Sequence, residues 1–238
     1  MKILGIDTST HSTSVCVIDE DKFVCEYTVN TKKTHSQKLM VMIESMIKES
    51  DLSIKDIDAI SICIGPGSFT GLRISMATAK AIAQVRNLPI IAVDSLESLA
   101  FNMNHCEKTI CSILDAQKNQ VYTGKYRFEN GELKTIEAIK VVKIDELIEE
   151  ISQSEEEFIL VGEAVSIYKD KLIEVKNITL ASPSNNVSKA SSLCVLGAIK
   201  YKNNIDVHDC YTVNPMYIRK SQAEVQYDEK MKRLENGK

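Results

Sequence analysis

Apolar and polar positions along the first hundred residues change period twice. Lys2–Asp7, Thr13–Ile18 and Phe23–Asn30 are rich in β-branched and aromatic residues, and predict three strands. The turn Asp19-Glu20-Asp21-Lys22 joins the second strand to the third. Leu39, Met42, Ile43, Met46 and Ile47 then recur at helical spacing, which predicts a helix over Ser36–Ser50. Thr34 with Gln37 has the form of a capping box for its first turn. Ile57–Ile64 is a near-continuous apolar run, the signature of a strand buried on both faces. A helix rich in small residues follows at Thr70–Val85, then a short strand at Pro89–Val93 and a short helix at Ser95–Asn102.

The series then starts again. Thr109–Asp115, Gln120–Phe128 and Leu133–Val142 predict three strands, with Glu129-Asn130-Gly131 as a turn. Ile144–Ile151 predicts a helix, Phe158–Gly162 a strand, Glu163–Ile173 a helix, Asn177–Ala181 a strand and Val187–Tyr201 a helix begun by Asn185 or Asn186. The order βββαβα, a short link and βββαβα again is an internal repeat of topology. Each half opens on a strand that runs into an aspartate, Asp7 or Asp115. The expected fold is α/β: two ribonuclease H-like halves, residues 1–102 and 103–238, packed around a cleft. Tyr227–Lys238 is expected to be a charged, frayed tail.

Composition narrows the function. The 238-residue chain is 44% apolar and 26% charged, with a net charge of −4, which argues against broad unaided binding of nucleic acid. Seven cysteines lack CxxC spacing, and Cys16, Cys25, Cys63 and Cys111 fall in apolar runs as buried reduced thiols would. Met1–Asp7 reaches an acid too soon for a signal peptide, and no apolar run is long enough for a membrane span. A cytoplasmic location without membrane contact is expected.

Two segments carry candidate chemistry. Asp7-Thr8-Ser9-Thr10 puts an acid and three hydroxyls at a strand end, where open α/β sheets keep their sites. Its plain alternative is a hairpin turn whose side chains satisfy the backbone. Gly65-Pro66-Gly67-Ser68-Phe69-Thr70-Gly71 has three glycines before a helix, which let a ligand or a backbone approach closely. Its plain alternative is a helix-start turn with structural glycines. Asp7, Thr8, Ser9, Gly67, Ser68 and Asp115 are therefore the candidate phosphate or nucleotide contacts. No Gly-Lys-Ser/Thr follows the glycines, so the turn is not a P-loop. His11, His35, His105 and His208 are isolated, with no HExxH or HxxxH pair, and no GxSxG elbow occurs. The second half has no double-glycine turn to cradle an adenosine. Neither a catalytic residue, a metal nor a cofactor is expected.

Ile3–Thr10, Ile64–Arg73 and Pro215-Met216-Tyr217-Ile218-Arg219 with Ala223-Glu224 together resemble the TsaB (YeaZ) family, from Met1 to about Glu224. The Gly-Pro-Gly-Ser-Phe-Thr-Gly-Leu-Arg string is highly specific for it. The resemblance implies the duplicated actin/hexokinase-type fold. It further implies a noncatalytic subunit of the bacterial complex that transfers threonylcarbamoyl to the adenosine beside the anticodon. The implied partners are a TsaD-type catalytic subunit and a TsaE-type ATPase. The chain would form a homodimer when the partner is absent, and tRNA would be reached only through the complex. The catalytic relative carries an HxxxH pair where this chain has Ser95 and Leu99, which cannot replace two imidazoles on a metal. The family often shows Asp-Ala-Arg where Asp115-Ala116-Gln117-Lys118 stands here. The family's partner surface maps onto the helices Ser36–Ser50 and Thr70–Val85, naming Leu39, Met42, Ile43, Met46, Arg73, Ile74 and Ala77 as interface residues. On the residues alone, the default place for the Met40/Met42/Met46 stripe is the core, although methionine also suits adaptable surfaces. The competing readings are a small-molecule kinase or ATPase of the same fold and, far behind it, a zinc peptidase.

Overall fold

The computed structural model describes residues 1–31, 34–219 and 231. Ala223-Glu224 and most of the expected tail lie outside the described residues. The first half contains β1 (Lys2–Asp7), β2 (Thr13–Asp19), β3 (Lys22–Val29), α1 (His35–Glu49), β4 (Ala59–Gly65), α2 (Phe69–Arg86), β5 (Ile90–Asp94) and α3 (Ser95–Phe101). The second contains β6 (Thr109–Asp115), β7 (Gln120–Glu129), β8 (Glu132–Lys143), α4 (Ile144–Ser152), β9 (Phe158–Val161), α5 (Ala164–Ile167), α6 (Lys169–Leu172), β10 (Ile178–Leu180) and α7 (Ala190–Lys202). A two-residue strand, β11 (Val207–His208), follows α7.

One sheet runs β11-β5-β4-β1-β2-β3 and the other β10-β9-β6-β7-β8. In both, an antiparallel three-strand meander is extended by parallel strands on its first member. The duplicated ribonuclease H-like order is therefore present. The repeating unit is longer than βββαβα, because β5 with α3 and β10 with α7 belong to the halves.

Strand β1 alternates between two cores, as a strand buried on both faces must. Leu4 and Ile6 face Leu39, Met46 and Met76 of α1 and α2. Ile3 faces the other way, against Ala190 and Cys194 of α7. Helix α7 lies close on β1 because Gly5 leaves room there; a Cβ at that position would sit 2.5 Å from Cys194 Sγ. The second sheet packs Cys111, Ile113 and Phe158 against Ile144, Leu147 and Ile151 of α4. Its opposite face packs Ile110, Leu114 and Tyr126 against Leu96, Leu99 and Ala100 of α3.

These contacts cross the division expected at residues 102 and 103. Helix α3, from the first half, covers the second sheet, and α7, from the second half, covers the first. Asn102, just past α3, donates to the carbonyls of Asn185 (2.8 Å) and Val187 (3.0 Å) ahead of α7. The last helix of each half thus covers the sheet of the other.

The local predictions hold where local chemistry decides. Gln37 Oε1 accepts from the Thr34 N–H at 3.2 Å, closing the expected capping box. Helix α7 starts later than expected because its caps come from elsewhere in the fold. The Ala190 N–H donates to Ser14 Oγ (2.8 Å) and the Ser191 N–H to Glu26 Oε1 (2.8 Å). Asn186 instead accepts the Gly162 N–H at 3.0 Å. The helix expected over Glu163–Ile173 is split at Tyr168 into α5 and α6. Cys16, Cys63 and Cys111 are buried and Cys25 half-buried, and no cysteine is in a disulfide. No helix among the described residues is long and apolar enough to cross a membrane.

Candidate functional site

Strand β1 delivers Asp7 to the centre of the molecule, where it is buried. One oxygen, Oδ1, accepts from the Ser9 N–H (2.8 Å) and the Ser9 hydroxyl (2.7 Å). The other, Oδ2, has no partner among the described residues. Burial raises the Asp7 pKa above the usual carboxylate value, and the two bonds from Ser9 oppose that rise. Strand β6 ends the same way: Asp115 Oδ1 accepts the Gln117 N–H at 2.9 Å. The turn beyond it carries three consecutive positive φ values, at Gln117 (61°), Lys118 (53°) and Asn119 (58°).

The glycine-rich turn lies directly on the turn after β1. The Ser68 N–H donates to Ser9 O (2.7 Å) and the Thr8 hydroxyl to Gly71 O (2.7 Å). A Cβ on Gly67 would stand 2.2 Å from Ser9 O, and one on Gly71 would stand 1.9 Å from Thr8 O. These two glycines thus admit the chain's own backbone. Ser68 caps α2 by accepting the Gly71 N–H at 3.2 Å.

Above these turns a cleft of about 580 Å³ lies between the sheets. Ser9, Gly67, Ser68 and Asp115 line it, whereas Asp7 and Thr8 lie beneath its floor. Its walls bring Lys118 and Arg219 together with Asp115 and Glu163, alongside His11 and His35. Glu163 accepts the His11 N–H at 3.3 Å across the two halves, and burial raises its pKa. Burial, with Lys38 and His11 nearby, lowers the pKa of His35, whose Nδ1 lies 2.8 Å from the Thr13 hydroxyl. No group of three or more His, Cys, Asp or Glu among the described residues is placed to hold a metal ion. Ser95 is buried and donates to Pro66 O at 2.5 Å, and Leu99 is packed in the core under the second sheet.

The segment after β11 crosses the mouth of the cleft. Val213 is buried in the first core, the Met216 N–H donates to Ile64 O at 2.7 Å, and Arg219 donates to Ala116 O in the second half. Tyr217 stacks on Phe69 with ring centroids 4.8 Å apart. The sequence motif Pro215–Arg219 thus serves as a strap joining both halves.

The helix surfaces require a correction. Leu39, Met42, Ile43 and Met46 are buried between α1 and the first sheet, so none of them is available to a partner. Arginine at Met42 would place a charge in that core and destabilise the fold itself. Ile74 is half-buried against the same core. Arg73 and Ala77 are exposed as expected. The exposed apolar residues of these helices are Met40 (54% exposed) and Val41 (61%) on α1, with Ala77, Ala81 and Val85 (86%) on α2. The signal for them was the remainder: once 39, 42, 43, 46 and 47 form the buried stripe, Met40 and Val41 fall outside it.

A family model described as TsaD, tRNA N6-adenosine threonylcarbamoyltransferase, matches residues 26–227. The tRNA threonylcarbamoyladenosine biosynthesis protein TsaB of Bacillus subtilis (strain 168) is 33% identical, covering 98% of this chain and 100% of that protein. TsaB of Escherichia coli (strain K12) is 31% identical over 71% of this chain and 74% of its own. YeaZ from Pseudomonas aeruginosa superposes with a TM-score of 0.77 at 22% identity, covering 91% of this chain and 99% of that one, a likeness of fold. With the duplicated sheets and the glycine-rich turn in place, the chain belongs to the TsaB family of tRNA threonylcarbamoyladenosine biosynthesis proteins.

Proposed function

We propose that this chain is a noncatalytic cytoplasmic subunit that docks, through the outward face of α2 and the adjoining part of α1, on a TsaD-type threonylcarbamoyltransferase. A TsaE-type ATPase joins the pair, tRNA is reached only through the assembly, and two copies of the chain pair through the same face when the transferase subunit is absent. The observation that carries this reading is that α2 is apolar on both sides. Leu72, Met76, Ala79 and Ala83 fill its buried side, while Ala77, Ala81 and Val85 stand in solvent. An apolar stripe of that kind marks a contact surface, and alanines let a second helix approach to about 8 Å. Lack of catalysis is supported by Ser95 and Leu99, both consumed in packing.

The test is the affinity of Ala77→Arg and Val85→Arg variants for the TsaD-type subunit of the same organism, by calorimetry. Both side chains are exposed, so folding is expected to be unchanged by circular dichroism while affinity falls about 100-fold or more. Wild-type affinity in both variants would remove α2 from the interface.

The cleft supports a second reading, a kinase or ATPase, because Ser9, Ser68 and Asp115 converge there. Under the leading reading the purified chain does not hydrolyse ATP. Turnover by the chain alone, lost in Asp115→Ala, would favour the second.

A further inference from the structure

The sequence of α2 from Phe69 to Arg86 contains Arg73, Lys80 and Arg86 and not one acid, in a chain whose net charge is −4. The three cations are not equivalent. Arg86 donates to the Lys55 carbonyl at 2.7 Å. Lys80 is half-buried on the helix side. Arg73 is exposed and lies one helical turn before Ala77, at the end of the apolar stripe.

Among the described residues, Arg73 is held without being neutralised. Its guanidinium carbon lies 4.0 Å from the centroid of the Phe69 ring, and its Nε donates to the Tyr217 hydroxyl at 3.1 Å. The two rings are themselves stacked. Among the described residues its two terminal nitrogens bond to no acceptor, and it has no ion-pair partner. The other described arginines differ: Arg127 pairs with Glu156, and Arg86 and Arg219 donate to carbonyls. A guanidinium fixed through Nε and a ring face keeps its Nη pair as a preset fork, the geometry that takes a carboxylate bidentately. Fixing the side chain before binding lowers the ordering cost of the contact.

We infer that Arg73, clamped by Phe69 and Tyr217, is the receptor for an acidic side chain of the protein that docks on α2. This inference rests on α2 being the docking face. A protein carboxylate fits better than an RNA phosphate backbone. Phosphate tracking needs a run of free cations, whereas Arg73 is followed along the exposed face by alanine and valine.

The test measures the affinity of the intact chain for the TsaD-type subunit across a salt series, with Ala77→Arg as the reference for the docking face. Arg73→Ala is expected to weaken binding about 10- to 100-fold and to flatten its salt dependence. Arg73→Lys keeps the charge but loses the fork, and should also weaken binding. Tyr217→Phe keeps the ring stack and removes only the anchor, giving a smaller loss with unchanged thermal stability. A lysine scan of the partner's exposed acids should find one position that restores binding to Arg73→Glu.

Wild-type affinity in Arg73→Ala, with binding lost in Ala77→Arg, would overturn the carboxylate receptor and leave the docking face standing. Wild-type affinity in Ala77→Arg would instead count against the docking face. Loss of tRNA binding in Arg73→Ala with partner affinity intact would replace the carboxylate by a phosphate. Failure of every lysine substitution to restore Arg73→Glu would also overturn the assignment.

Discussion

Replacing Gly71 by alanine tests whether the glycine-rich turn is an internal joint or a ligand cradle. The new Cβ would lie 1.9 Å from Thr8 O, a backbone atom with no rotamer to yield. Reaching an ordinary contact requires α2 to retreat by roughly 1.5 Å from the turn after β1. That movement breaks the Thr8 hydroxyl bond to Gly71 O and strains the Ser68 N–H bond to Ser9 O, each 2.7 Å long and the first of them buried. Leaving such groups unsatisfied costs about 1–3 kcal/mol each, and alanine's better helix propensity returns about 1 kcal/mol. A net loss of about 1–5 kcal/mol is expected, read as a lower urea midpoint at unchanged slope. Gly131→Ala is the control. Its φ of +82° carries a backbone cost, but nothing lies within 4 Å of the new Cβ, so a loss of about 1–2 kcal/mol is expected. If Gly71→Ala is as stable as the wild type, the turn has room to spare and the joint is misread.

Asp94 caps α3 through the Glu97 N–H at 2.7 Å, and burial, then the nearby Glu97 charge, push its pKa up to about 7. The folded form therefore holds a proton that the unfolded form has released, so stability falls as pH rises from about 4 to about 7. Asp94→Asn keeps the cap and should flatten that slope in urea titrations at several pH values; an unchanged slope would assign it to other groups. Asp7→Asn keeps the acceptor for Ser9, removes a buried charge and should leave transferase-complex activity intact. Asp7→Ala loses the turn and should cost about 1–3 kcal/mol in unfolding experiments; loss of activity in a well-folded Asp7→Asn would instead make the charge functional. Fragments 1–102 and 103–238 should not fold separately, since each lacks the helix covering one face of its sheet. A cooperative thermal transition in the 1–102 fragment alone would contradict the helix exchange.

What was legible in the sequence was whatever neighbours along the chain decide. The capping box of Thr34 and Gln37, the two-faced burial of β4 and the matching ends of β1 and β6 at Asp7 and Asp115 follow from period and turn chemistry. The start of α7 was not legible, because its caps are Ser14 and Glu26, more than 160 residues away. The glycine-rich turn was legible as a place of close approach, but glycine spacing does not say whose backbone approaches. The α1 stripe was legible as well. The residues alone put the Met40/Met42/Met46 stripe in the core, where Met42 and Met46 lie while Met40 is exposed, and the surface assignment of Leu39, Met42, Ile43 and Met46 came from mapping a whole helix where only one face of it is exposed.

The helix exchange ties the cleft to the proposed docking face. Helix α2 leaves the glycine-rich turn, and its first turn bonds to the turn after β1, which forms the cleft floor. Its Phe69 and Arg73 hold Tyr217 of the strap, and Arg219 of the same strap reaches Ala116 in the second half. A protein that grips Arg73 and the stripe beyond it therefore pulls on a chain of contacts running through both halves. With α3 and α7 each seated on the sheet of the other half, the halves cannot respond separately, so a load on α2 is borne by the cleft as a whole. Under the proposed noncatalytic role, that coupling gives the chain a reason to keep the cleft's architecture while Ser95 and Leu99 are consumed in packing.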